Sequence, residues 1–419
     1  MENMDEVRTK VQELVREGFS GSLSRARLAL AADAEWKKVR DTGTKLWLDT
    51  GDLDEAAKLY TAEFEALTTN NTLLNNEVQK GIYDSLIAEA ASTLRATASG
   101  LSDKDLTLEI SFVLNARHGL RLADEFGANV SVELHTDLAY DVERSVDYGK
   151  RYYAICPERF IIKIPLTPAG FLAARKLSSL QIPVNFTLGF SARQNYVAAL
   201  LSRPAFVNVF MGRLGAFVAD NHLGSGEQIG EKATLSTQRE LLALRRQART
   251  QTLLIGASMR KGFQVSALAG LDVFTMPTKV AAEYRQNPLE RVSSRIEDDP
   301  EVPLADGVRF DDFNGTTLWQ VPEPFKVCVE SLLRKDCNSI SPEALQAHFH
   351  DAGMGDFLPK WSAEDIETTR TEGKIPRFAE WKDRLTARQI GLDALLNLAA
   401  LYSFVTDQAA LDARIQSLI

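Results

Sequence analysis

Short apolar runs recur along the chain, each closing on polar or glycine residues. They are Leu46-Trp47-Leu48, Ala66-Leu67-Thr68, Val130 to His135, Phe160 to Pro165, Ile182 to Leu188, Phe206 to Met211, Thr252 to Ala257 and Leu271 to Pro277. Apolar stretches this short, bounded by loop signals, read as buried strands. Nearly all of them are separated by segments with helical spacing of apolar residues, and that alternation makes a parallel sheet. Eight such units between about Lys45 and Glu283 predict an α/β fold, a (β/α)8 TIM barrel. An open doubly wound sheet is the alternative, but no glycine fingerprint for a dinucleotide follows the first strand.

The flanks read differently. Val7, Val11, Leu14 and Val15 predict a first helix, and a second is predicted from about Ser22 to Val39 before Gly43 breaks it. Between the sixth and seventh strands, Gly224, Gly226 and Gly230 read as a surface loop leading into a helix from Thr234 to Ala248. After the eighth strand, Asn287 to Gly315 is proline- and acid-rich and reads as a long loop. Helical stretches follow at Pro324 to Arg334, Pro342 to His350 and Ala363 to Thr371. A strong amphipathic helix or helix pair is predicted from Ala387 to Leu418. The expected organisation is an N-terminal helical arm (1–43), the barrel (44–286), a loop-rich and helical extension (287–385) and a C-terminal helix packed on the barrel (386–419).

Side chains alternate along a strand, so residues two apart share a face. The face toward the helices must be apolar. Leu46 and Leu48 take that face in the first strand, which turns Asp49 inward at the strand's end. In the third, Ser131, Glu133 and His135 face in. Lys163 faces in between Ile162 and Ile164, Asn185 and Thr187 share the inner face of the fifth strand, and Asn208 and Phe210 that of the sixth. The interior near the C-terminal rim should thus hold one lysine, two carboxylates and several amides and hydroxyls, where a purely structural barrel would place Val, Ile and Leu.

Lys163 is the odd residue of its run. Burying an ammonium is costly and favours the neutral, nucleophilic amine. The stretch by itself leaves two readings open: a Schiff-base lysine, or a strand-end lysine reaching solvent or a carboxylate. The polar groups on the neighbouring strands favour the first. Arg213 after the sixth strand, and Ser258 and Arg260 after the seventh, supply two guanidinium forks and a hydroxyl. Loops after the late strands of a barrel are a usual phosphate site.

Composition narrows the partners. The chain has 45% apolar and 25% charged residues and a net charge of −9, which argues against nucleic acid or an anionic membrane. No apolar run in the sequence looks as long as a membrane span, and the acidic start lacks a signal-peptide core. Cys156, Cys328 and Cys337 are too few and scattered for a disulfide framework, so a cytoplasmic setting is expected. His348 and His350 form an HxH pair without a further ligand pattern, and no metal or cofactor is expected. Oligomeric state is left open, a homodimer included.

Six pieces resemble the transaldolase family, Schiff-base enzymes of the pentose phosphate pathway. They are Leu48-Asp49-Thr50-Gly51-Asp52, Thr68-Thr69-Asn70, Ile162-Lys163-Ile164-Pro165, Asn185-Phe186-Thr187-Leu188, Gly212-Arg213 and Gly256-Ala257-Ser258-Met259-Arg260. They stand in the family's order across about Lys45 to Glu283, and Phe404 to Gln408 resembles its closing helix. The resemblance implies that Lys163 forms the imine and Asp49 is the acid/base at the C4 hydroxyl. Glu133 and Thr187 would position a water, and Asn70 and Asn185 would hold the hydroxyls of the dihydroxyacetone unit. Thr68, Asn208 and Phe210 would line the substrate, and Arg213, Ser258 and Arg260 would bind its phosphate. The substrates implied are phosphorylated sugars, sedoheptulose 7-phosphate or fructose 6-phosphate as donor and an aldose phosphate as acceptor. In the family an apolar aromatic at the Phe210 position goes with transfer, and a tyrosine with simple aldolase release. The chain departs from the pattern at Asn71, where proline is usual, at Asn208, where serine is common, and at Ala216, often acidic. These departures bear on the substrate more than on the reaction. A modified ketose, sulfonated or longer-chained, and a non-catalytic sugar-binding scaffold are the alternatives.

Overall fold

In a computed structural model, which describes residues 2–19 and 30–419, eight parallel strands close into a barrel in sequence order. The strands are β1 (Lys45–Asp49), β2 (Phe64–Thr68), β3 (Asn129–Glu133), β4 (Phe160–Pro165), β5 (Val184–Thr187), β6 (Phe206–Phe210), β7 (Leu253–Ala257) and β8 (Val273–Pro277). β8 pairs with β1 from Lys45–Val273 to Asp49–Pro277, which closes the ring. The (β/α)8 barrel with N-terminal helices and a mostly helical C-terminal extension is therefore the fold.

Two layers fill the barrel. Trp47, Ala66, Ile161, Ile255, Ala257 and Val273 make a small apolar plug, with Trp47 edge-on to Phe206 at 4.7 Å between ring centroids. This plug was not anticipated from the alternation. The polar side chains stand above it, at the strands' carboxyl ends, which is where barrels carry their chemistry. Outward-facing Leu46, Leu48, Val130, Val132, Ile162, Ile164, Val184 and Phe186 join one large core with the surrounding helices.

The extension shares that core. Phe325, Phe349 and Phe357 pack together with centroids 4.6–5.7 Å apart. Phe357 reaches Phe171, which packs on Phe186 of β5. The C-terminal helix, Leu392–Gln416, lies against the helices Asn71–Gln79, Asp103–Phe126 and Ala363–Glu372. By length and composition it could cross a membrane, contrary to the expectation that no such run exists, but most of that stretch is buried in the protein. Its start is pinned by a buried ion network. Arg193, after β5, donates Nε and Nη2 to the Asp393 carboxylate at 2.8 and 2.7 Å and Nη1 to Asp356 at 2.8 Å. Ser191 adds its hydroxyl to Asp393 at 2.6 Å.

Several boundaries differ from expectation. Of the helix expected from Ser22 to Val39, residues 22–29 lie outside the described residues, and the observed helix is Ala34–Arg40, capped by Asp33. The helix expected from Thr234 begins at Ile229, behind left-handed Gln228. Gly230 is thus no surface-loop residue but lies buried in that helix's first turn. The C-terminal helix starts at Leu392 instead of Ala387, and a further helix, Phe378–Thr386, precedes it.

Asp393 is fully buried, and deleting its carboxylate leaves the Arg193 guanidinium with only Asp356. Asp393→Ala should cost about 3–5 kcal/mol in chemical denaturation. A loss below about 1 kcal/mol would show that the network does not anchor the C-terminal helix.

Candidate active site

The strand register sets the central contact. Glu133 of β3 pairs with Lys163 of β4, and Lys163 with Asn185 of β5, so three inward side chains stand in a row. Lys163 is 4% exposed. Its Nζ lies 3.3 Å from Glu133 Oε2 and donates to the carbonyl of Thr69, just past β2, at 2.9 Å. The ammonium is thus balanced by one carboxylate and one carbonyl, the pairing a buried cation needs.

Asp49 ends β1 on the other side of the cavity. Thr68 Oγ1 donates to Asp49 Oδ1 at 2.7 Å and lies 2.7 Å from Thr275 Oγ1. A hydroxyl has one proton, so the Thr68 proton goes to Asp49 and Thr275 donates to Thr68. Burial pushes the Asp49 carboxyl above its usual range, against the pull of Lys163, the Thr68 hydroxyl and Arg260. Burial likewise raises Glu133, opposed chiefly by Lys163, while Asp49 pushes the same way. Two buried acids whose pKa values are raised, beside one amine, suit proton transfer.

The cationic end is built from the first turn of the helix after β6 and from the loop after β7. Arg213 opens the helix Met211–Asp220 directly after β6. Ser258, in the left-handed region at φ 61°, and Arg260 follow β7. Burial, and then the neighbouring Arg260, lower the Arg213 pKa to about 10, with Asp407 of the C-terminal helix opposing. An anion held between the two guanidiniums would reverse that effect. The Arg213 guanidinium stacks over Phe404, 5.7 Å from its ring centroid. Asp407 is fixed by the hydroxyl of Thr72.

These groups enclose a cavity of about 130 Å³. Ten of the twelve candidate residues line it: Asp49, Thr68, Asn70, Lys163, Asn185, Asn208, Phe210, Arg213, Ser258 and Arg260. Glu133 and Thr187 are absent from the lining and stand in the wall, Glu133 at Lys163 and Thr187 at the end of β5. Asn70 caps the helix Asn71–Gln79 through Oδ1, which leaves its Nδ2 for a ligand. Asn208 accepts from the Gly189 amide at 3.1 Å, so its NH2 is the group on offer. Asn185 gives its NH2 to Ser131 at 3.0 Å. Buried Asn185 Oδ1, Thr187 Oγ1 and Arg213 Nη1 have no hydrogen-bond partner within the protein, and buried polar atoms need one.

His135 is a correction. β3 ends at Glu133, and the turn that follows sends His135 outward, where Nε2 meets Asp412 of the C-terminal helix at 3.2 Å. Thr275, Pro277, Ile255, Ala257 and Phe404 also line the cavity, and the sequence reading gives none of them a site role. Thr275 could have been found by extending the inward alternation to β8. Phe404 belongs to the stretch that resembles the family's closing helix, but its place at Arg213 and the cavity is set by tertiary packing. A larger hollow of about 600 Å³ lies at the opposite ends of β5–β7, around Pro183, Ala205 and Thr250. It lacks the convergence of amine, carboxylates and hydroxyls that marks the smaller one.

Comparison with known proteins gives the family. The family model described as transaldolase/fructose-6-phosphate aldolase matches residues 46–311. A transaldolase from Xanthomonas euvesicatoria pv. vesicatoria is 28% identical over 270 residues, which cover 61% of this chain and 81% of the relative. Transaldolase A from Pasteurella multocida is 28% identical over 251 residues, 58% of this chain and 77% of the relative. The chain belongs to the transaldolase/fructose-6-phosphate aldolase family of enzymes.

Proposed function

We propose that the protein is a cytoplasmic transaldolase that moves a dihydroxyacetone unit from a ketose phosphate to an aldose phosphate through an imine on Lys163. On this reading the donor is sedoheptulose 7-phosphate or fructose 6-phosphate, and the reaction belongs to the pentose phosphate pathway. The observation that carries the reading is the buried Lys163 amine, 3.3 Å from Glu133, in one cavity with Asp49 and a pair of arginines.

Each step has a group to perform it. Glu133 takes the proton that frees the Lys163 amine, and the amine attacks the ketose C2 carbonyl. Loss of water from the carbinolamine needs a proton, supplied through a water held between Glu133 and Thr187. The iminium is the electron sink. Asp49 removes the C4 hydroxyl proton, the C3–C4 bond breaks, and its electrons pass into an enamine as the aldose phosphate leaves. The amides of Asn70 and Asn185 hold the retained hydroxyls, while Arg213, Ser258 and Arg260 hold the phosphate. Addition of the enamine to the acceptor aldehyde reverses these steps. Phe210, edge-on to Phe190 at 5.9 Å, offers no proton to the enamine, which favours transfer over release.

Fructose 6-phosphate alone should be consumed only to the extent of the enzyme present, and adding erythrose 4-phosphate should start turnover. Steady release of free dihydroxyacetone without an acceptor would make the protein an aldolase instead.

Asp49 gives a second test. Because burial raises its folded pKa, its ionised form destabilises the fold. That cost sets in as pH rises past the unfolded value of about 3.9 and is complete above the folded value. Asp49→Asn removes it, so the Tm at neutral pH should hold or rise while kcat falls by roughly 10²–10⁴-fold. For the same reason the acid limb of kcat should lie above the ordinary carboxylate range. Thr68→Val, which removes a hydrogen bond to the ionised form, should move that limb to higher pH. A limb that stays put or moves down would assign it to another group.

A further inference from the structure

The two segments that carry Arg213 and Arg260 are braced from behind by a pair of buried residues outside the cavity. Gln264 is 7% exposed and sits in the short helix Phe263–Ala267 that follows the β7 loop. Its Oε1 accepts from the backbone amides of both Arg260, at 2.7 Å, and Lys261, at 3.1 Å. Its Nε2 donates to Glu231 Oε1 at 2.7 Å and lies 3.7 Å from Met211 Sδ. Glu231 is 5% exposed and comes from the first turn of the helix Ile229–Arg246. One side chain therefore holds the backbone of Arg260 and touches the residue two before Arg213.

Two glycines show how tightly the loops are set. A Cβ on Gly212 would run into the carbonyl of Ser258 and come within 2.8 Å of the Arg260 side chain. A Cβ on Gly230, next to Glu231, would lie 2.7 Å from Met211 Cβ. The start of the helix after β6, the β7 loop and the start of the Ile229–Arg246 helix thus form one packed block, and Gln264 is its polar link.

We propose that Gln264 and Glu231 are positioning residues for the terminal anion of the substrate. They touch no substrate; they fix where the Arg260 backbone leaves β7, and so where its guanidinium meets Arg213 and Ser258. The proposal rests on the reading of Arg213, Ser258 and Arg260 as the phosphate site. It predicts that loss of the link weakens binding of phosphorylated ligands and leaves the chemistry at Lys163 alone.

The probes are fructose 6-phosphate, unphosphorylated fructose as donor, and inorganic phosphate as competitor. With unphosphorylated glyceraldehyde as the acceptor throughout, Gln264→Leu should raise KM for fructose 6-phosphate and the inhibition constant of phosphate roughly tenfold, keep kcat within about twofold, and leave fructose turnover unchanged. Gln264→Glu alone sets two carboxylates against each other and should do at least as much harm. Adding Glu231→Gln to it rebuilds the link with its polarity reversed and should bring KM back toward the original. The swap decides the matter even if Gln264→Leu does not fold. Three results overturn the proposal: an unchanged KM in folded Gln264→Leu, equal losses with fructose and fructose 6-phosphate, or a double variant no better than Gln264→Glu. Arg260→Ala is the control for the underlying reading. If it leaves phosphate inhibition unchanged, the phosphate site itself is misassigned. If it weakens inhibition and the Gln264 variants do not, only the positioning role fails.

Discussion

A single ammonium inside the barrel sets the terms for everything around it. Lys163 is 4% exposed, and a charge so placed is tolerable only if paired. Glu133 and the Thr69 carbonyl supply the pairing, and both come from strands or strand ends fixed by the barrel's own register. The apolar plug that includes Trp47 fills the barrel below this layer, so the polar groups have only one way to face. Removing Glu133 would leave the buried amine with the Thr69 carbonyl alone, and removing Lys163 would take from Asp49 and Glu133 the charge that most opposes the effect of their burial. Neither change is merely local.

The same logic extends to the C-terminal part of the chain. The family match ends at residue 311, yet the following segment is built into the site. The Arg193–Asp393–Asp356 network fixes the start of the C-terminal helix, and that helix carries Phe404 onto Arg213 and Asp407 near it. Asn397 of the same helix donates to the carbonyl of Leu188, next to Thr187, at 2.8 Å. The extension thus sets the exposure and charge around Arg213, while the strands set the amine and the acids.

Much of this was legible in the sequence because alternation along a strand is strict. A lysine between two isoleucines in an apolar run has to face away from the helices, and Asp49, Asn185 and Asn208 follow by the same count. What failed did so for identifiable reasons. His135 lies two residues past Glu133, and the count assumes a strand that has already ended there. Trp47 and Ile161 also face inward, but the pattern gives the face and not the depth, so the apolar plug was not seen. Thr275 looks like an ordinary β-branched strand residue until Thr68 is found beside it. Gly230 was taken with the loop glycines because its constraint is the Met211 backbone, distant in sequence. Gln264 stands out only once Glu231, 33 residues away in sequence, is found beside it.

The central claim is that Lys163 becomes covalently attached to the substrate. Incubation with fructose 6-phosphate followed by borohydride reduction, then peptide mapping by mass spectrometry, tests it directly. One reduced three-carbon adduct on the peptide containing Lys163, absent without borohydride, is the predicted result. A fully active preparation that yields no adduct at Lys163, or an adduct on another lysine, would contradict it.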